Sequence, residues 1–94
     1  DKVAVERGPI VYCAEGVDNN GQVADLVLPD SAAMTLEARP DIANGVRVIQ
    51  ADGLRVNTRE KTSAQATVTL VPYYAWNYRG AGAMRVWLSR TPEP

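Results

Sequence analysis

Histidine and phenylalanine are both missing from these 94 residues, and there is one cysteine, Cys13. Without histidine the chain cannot assemble, within itself, a histidine-based triad, an imidazole zinc site or a histidine general base. One thiol excludes an internal disulfide. No apolar run approaches the roughly 20 residues of a membrane-spanning helix. Neither charge dominates: ten basic and eleven acidic side chains give a formal net charge of -1, with the signs interleaved. That balance leaves no electrostatic footprint for nucleic acid or an anionic membrane, so neither is an expected partner.

Hydrophobic residues make up 46% of the chain and charged residues 22%, as in a globular domain. The length suits a single domain, residues 1–94, near the lower limit for a useful core. With no phenylalanine, that core must come from Val, Leu, Ile, Met and Ala, helped by Tyr and Trp rings. The chain opens on Asp1-Lys2 with strand-like alternation already under way, which reads as a segment of a longer polypeptide rather than a signal peptide.

The pattern is that of short strands. Lys2 to Glu6 alternates, with Val3 and Val5 on one face, before Arg7-Gly8-Pro9 imposes a kink, bulge or sharp corner. Ile10 to Glu15 is nearly all apolar, as in a strand covered on both faces. Asp18-Asn19-Asn20-Gly21 has tight-turn chemistry. Asp25–Leu28, Met34–Arg39, Gly45–Ala51, Leu54–Thr58, Thr67–Val71 and Ala83–Leu88 follow as strands. Pro40-Asp41 and Asn44-Gly45 punctuate loops, and Asp52-Gly53 is a two-residue hairpin signal. Glu60 to Gln65 reads as a polar loop. No convincing helical period and no internal repeat occurs. About eight strands with turns every ~8–12 residues predict an all-β, antiparallel β-sandwich of jelly-roll type.

Candidate chemistry is sparse. Acid/base pairs need two carboxylates about 5–10 Å apart, and the acidic residues are scattered over turns and solvent faces. Cys13 lies in the most apolar strand with no helix N-terminus before it, as expected of a small buried hydrophobe rather than a reactive thiol. Gly80-Ala81-Gly82 does not open a helix after a strand, so no phosphate cradle is expected.

The stretch Val71 to Gly82 remains. It holds four of the six aromatic residues. Such a cluster is either a packed corner or a contact surface. If extended, it puts Tyr74 and Trp76 on one face and Tyr73 on the other. One reading is that one set fills the core and the other lines an inter-domain contact; the alternative is a sugar-stacking platform, to which Asn77 and Arg79 would add hydrogen bonds or a cation–π contact. Trp87, alternating with Met84 and Val86, faces away from the core. The candidate contact surface is therefore Tyr73, Tyr74, Trp76, Asn77, Arg79 and Trp87.

Two motifs carry a resemblance. Val3 to Asp18, with Arg7-Gly8-Pro9 and Val11-Tyr12-Cys13 at its centre, resembles a signature near the C-terminus of glycoside hydrolase family 127, the β-L-arabinofuranosidase-like enzymes. Val71 to Gly80, which includes Pro72-Tyr73-Tyr74-Ala75-Trp76, together with Met84-Arg85-Val86-Trp87-Leu88 is similar to that family's closing pattern, departing from it at Asn77-Tyr78-Arg79. The resemblance implies a non-catalytic C-terminal β-sandwich module of a multidomain enzyme. It further implies that the reaction belongs to an upstream helical barrel with a zinc-bound cysteine nucleophile and a glutamate acid/base. Cys13 lies outside the catalytic cysteine motif, so no catalytic residue, zinc ligand or cofactor is expected in this segment. The partners implied are the upstream domains of the same polypeptide, a second copy in a homodimer, or an arabinose-containing glycan.

Overall fold

The computed structural model describes residues 2–42, 45–57, 59–76 and 82–91. Nine strands run through them: β1 (Lys2–Val3), β2 (Val5–Arg7), β3 (Ile10–Glu15), β4 (Leu26–Val27), β5 (Met34–Arg39), β6 (Val46–Asn57), β7 (Thr62–Pro72), β8 (Met84–Arg85) and β9 (Leu88–Ser89). No α-helix occurs among the described residues; two single-turn 3-10 segments lie at Gly16–Asp18 and Tyr73–Ala75.

The all-β class expected from the alternation is what forms. The strands do not divide into two hydrogen-bonded sheets, however. They join in one mixed sheet of order β1-β9-β4-β6-β7-β3-β2, with β5 added to β6 and β8 to β3. All pairings are antiparallel except β4 with β9. The two ends of that order are consecutive in the chain, separated by Ala4 alone. Consecutive Cα atoms are about 3.8 Å apart, so the sheet must curl until its two edges nearly meet. What reads as one N-terminal strand is thus two: Lys2 and Val3 pair with β9, and Val5 to Arg7 turn to β3.

The curl creates a core on each side of the sheet. One contains Tyr12, Ala14, Leu26, Leu28, Ile49, Ala51, Val68, Leu70 and Leu88, with Val3 and Val5 packed against it. The other contains Cys13, Ile42, Val46, Val48, Val71 and Ala75, with Met84 and Val86 alongside. The period of two explains the split. Tyr12 and Ala14 face one core and Cys13 the other, as the apolar run of β3 predicted.

Several turns differ from their sequence signals. The Arg7-Gly8-Pro9 corner is a two-residue hairpin, closed by the Arg7–Ile10 pair, with Gly8 at φ 60° where an L side chain is disfavoured. Asp52-Gly53 is not a hairpin; it lies inside β6. A Cβ at Gly53 stands 2.6 Å from the Val27 carbonyl oxygen and 2.6 Å from Val68 Cγ2, so the glycine lets β4 approach at the point where β6 exchanges β5 for β4. The hairpin falls instead after Asn57, whose Oδ1 accepts the Glu60 N–H at 3.1 Å. Thr62 to Gln65, expected as loop, pair with Leu54 to Asn57. The expected strand Ala83–Leu88 is two short strands, β8 and β9, which bend apart at Val86 and Trp87 because they serve β3 and β1 respectively. Asn44 and Thr58 lie outside the described residues.

Candidate functional site

The aromatic stretch begins where β7 ends. Pro72 pairs with Tyr12, and Tyr73–Ala75 then form a 3-10 turn closed by Trp76 N–H donating to the Tyr73 carbonyl at 3.1 Å. The alternation expected of an extended run is therefore lost. In a 3-10 turn successive side chains splay about 120° apart, so one residue in three can point inward. That residue is Ala75, buried in the second core. Tyr73 and Tyr74 are exposed, Tyr74 to 69%, and Trp76 retains 36% of its surface. None of the three belongs to either core.

Trp87 is 60% exposed at the bend between β8 and β9, facing away from the core as its alternation with Met84 and Val86 predicted. Asn77 and Arg79 lie outside the described residues.

A groove of about 510 Å³ lies against Tyr74. Its walls include Pro72 and Tyr12 together with Arg7, Arg39 and Arg47 from three different strands. Arg39 gives Nε and Nη2 to the Asp41 carboxylate at 3.0 and 2.8 Å. Arg7 and Arg47 carry no ion pair among the described residues. The Tyr12 hydroxyl donates to the Arg47 carbonyl at 3.1 Å. Continuing the β6–β7 register sets that carbonyl opposite Pro72, which has no N–H to offer. The phenol supplies the missing donor and closes the floor of the groove. No motif links three arginines so far apart in the chain, and in the sequence their charges are interleaved with acids, so the groove is invisible there.

Cys13 is fully buried in the second core. Burial pushes its thiol up to about 12, with the Glu15 and Asp18 carboxylates adding to the shift. A cysteine can bind zinc only as a thiolate, and no group of three histidine, cysteine or carboxylate side chains among the described residues is placed to hold a metal.

Two polar residues that read only as turn or strand filler hold the loop between β3 and β4. Asn19 is buried, and its amide bridges Glu15 and Thr69. Arg55 on β6 reaches the carboxylate of Asp25 at 2.5 Å and the carbonyls of Asn19 and Gln22. Asn19 reaches Thr69 across 50 residues of sequence and Arg55 reaches back 30 to 36, beyond the range of any local signal.

The geometry defines an all-β domain whose exposed aromatic rings stand outside two separate cores. The chain belongs to the glycoside hydrolase family 127 C-terminal domain family, whose model matches residues 1–89. It is 38% identical, over 106 aligned positions, to the non-reducing end β-L-arabinofuranosidase of Bifidobacterium longum subsp. longum, covering 95% of this chain and 16% of that protein. A solved family 127 β-L-arabinofuranosidase from Geobacillus stearothermophilus T6 superposes with a TM-score of 0.85 at 39% identity, covering 94% of this chain and 15% of that one. A second solved family 127 β-arabinofuranosidase gives a TM-score of 0.80 at 40% identity, with 96% and 15% covered. The chain thus spans about a sixth of the relatives it matches.

Proposed function

We propose that this chain is the non-catalytic accessory β domain of a β-L-arabinofuranosidase-like glycoside hydrolase, and that it docks on the rest of the enzyme through Tyr73, Tyr74, Trp76 and Trp87. The observation that carries this reading is the exposure of these four rings on a turn and a bend outside both cores. Exposed Tyr and Trp are the residues most enriched at protein contacts, because they bring large area and a polar tip at low entropic cost. The family to which the chain belongs supports the placement beside a glycoside hydrolase catalytic domain. The test is to assay this chain on an arabinofuranoside with and without added zinc. No turnover is expected in either condition, and measurable hydrolysis abolishes the reading.

A second reading is a carbohydrate-binding surface, and the groove beside Tyr74 favours it. Its volume falls within the ~300–1,000 Å³ of small-ligand sites. An aromatic wall with guanidinium donors suits stacking and hydrogen bonding to an arabinose unit. Chemical-shift changes at Tyr74 and the Arg7 and Arg47 side chains on titration with arabinose-containing oligosaccharides support this second reading. Unchanged spectra up to millimolar sugar leave domain docking alone.

A further inference from the structure

The arginine groove is the open end of the first core. Arg7 stands opposite Ile10, and Tyr12 opposite Pro72, which the β6–β7 register sets against Arg47. Cross-strand partners share a face, and so do Ile10 and Tyr12, two residues apart on the side of the first core. The floor of the groove is therefore apolar, made by Ile10, Pro72 and the Tyr12 ring, with the exposed Tyr74 ring beside it. Arg7 on β2 and Arg47 on β6 flank that floor across β3 and β7, three strand spacings or about 14 Å of backbone apart. Two extended guanidinium side chains with a ligand of one ring between them fill such a span.

The charges in the groove do not balance. Arg39 is answered within the chain, by the Asp41 carboxylate above all, with Asp18 and Glu37 adding to its field. Among the described residues no acidic side chain lines the groove, so Arg7 and Arg47 keep two charges that nothing there offsets. A neutral sugar would displace water from both guanidinium groups without supplying a counter-charge. A carboxylate supplies it, through charge-assisted bonds roughly twice as strong as neutral ones. Arg39 shows the geometry in the same groove, gripping both oxygens of Asp41. A bare phosphate or sulfate would use the arginines but leave the apolar floor and the Tyr74 face open. An extended polyanion needs a longer track of cations than two.

We infer that this groove binds a carboxylated sugar, such as a hexuronic acid, with a face of the ring on Tyr74 and Pro72 and the carboxylate between Arg7 and Arg47. The inference rests on the carbohydrate-binding reading above and narrows its ligand to an acidic one. Tyr74 supplies stacking area that any pyranose can use, and the two arginines supply the selection for charge. Tyr12 is a positioning residue: its hydroxyl donates to the Arg47 carbonyl and ties that part of β6 to the floor.

Titration of this chain with methyl β-D-glucuronide and methyl β-D-glucoside, which differ only in carboxylate against hydroxymethyl on one ring carbon, isolates the charge. Shifts of the Tyr74 ring and of the Arg7 and Arg47 Nε–H signals are expected to give the glucuronide a dissociation constant at least about tenfold lower at low salt. The gap is expected to close in about 0.5 M sodium chloride. Arg7 and Arg47 are exposed and lie in neither core, so their variants keep the fold. Arg7→Gln and Arg47→Gln are each expected to weaken the glucuronide by about fivefold or more and leave the glucoside unchanged. Tyr74→Ala is expected to weaken both sugars, and Arg85→Gln, on β8 outside the groove, neither. Equal affinity for the two sugars overturns the inference and leaves the carbohydrate reading standing, as does a response to arabinose-containing oligosaccharides alone. Acetate or a tetra-aspartate peptide binding as tightly as the glucuronide overturns it by making the groove a site for any carboxylate. No response to any of the sugars removes both readings.

Discussion

The Asn19 side chain completes the hydrogen bonding of Thr69, accepting its N–H at 3.0 Å and donating to its carbonyl at 3.1 Å. It does so where β3 ends at Glu15 and leaves β7 without a neighbour, so one amide stands in for the next residue of the strand. Its second N–H goes to the Glu15 carbonyl at 2.8 Å. Asn19→Leu removes all three bonds and leaves buried backbone groups unsatisfied, at about 1–3 kcal/mol for each group that water cannot reach. The expected loss of unfolding free energy is about 2–4 kcal/mol in urea titrations. A loss below about 0.5 kcal/mol means that water replaces the amide and the bridge is dispensable.

Gly53 makes a comparable demand by having no side chain. An added Cβ meets the Val27 carbonyl, which is backbone and cannot rotate away, so β4 must move off β6. Gly53→Ala is expected to cost about 1–3 kcal/mol, in the range of overpacked cores. Gly82→Ala, with nothing within 4 Å of the new atom, is expected to be neutral. Comparing the thermal midpoints of the two variants separates a steric cause from a general effect of replacing glycine.

The strands with a strong local pattern were legible. β3, β5 and the first half of β6 lie where alternation and β-branched residues put them, and Trp87 faces outward as its neighbours required. Long-range events were not legible. Ala4 breaks a continuous alternating run only because β9 and β3 compete for its two sides. Asp52-Gly53 carries ordinary hairpin chemistry, yet the close approach of β4 uses the same glycine for the opposite purpose. In the aromatic stretch, Pro72 leads into a 3-10 turn over Tyr73–Ala75 that reorients the rings, and a period of two cannot register that. Of the candidate contact residues, Tyr73, Tyr74, Trp76 and Trp87 are described at the surface. The arginine groove had no signal at all, being assembled from three strands.

Exposure separates the aromatic rings energetically from the core. Tyr74→Ala is expected to change stability by no more than about 0.5 kcal/mol, as at other open surface positions. Trp76, with more of its ring covered, is expected to lose about 1–2 kcal/mol. Leu70→Ala in the first core is expected to cost about 2–5 kcal/mol. Denaturant midpoints order the three. If Trp76→Ala proves as costly as Leu70→Ala, Trp76 is a core residue and its part in a contact surface is lost.

Cys13 gives the domain an alkaline weakness with a definite sign. Burial raises the thiol from 9.0 to about 12 in the folded state, whereas the unfolded chain ionises it near the lower value. Between those values the unfolded state has released a proton that the folded state still holds, so stability falls as pH rises through that window. The slope attributable to this group approaches about 1.4 kcal/mol per pH unit. Tyrosine and lysine titrate in the same range, so the quantity to measure is the difference between the parent chain and Cys13→Ala. The variant forfeits packing at neutral pH, and the gap between the two is expected to narrow from pH 9 upward as the parent loses its thiol contribution. Parallel pH profiles contradict the buried-thiol assignment. So does rapid modification of Cys13 by a thiol reagent in the native protein at pH 8, where the folded chain is expected to react only as fast as it opens.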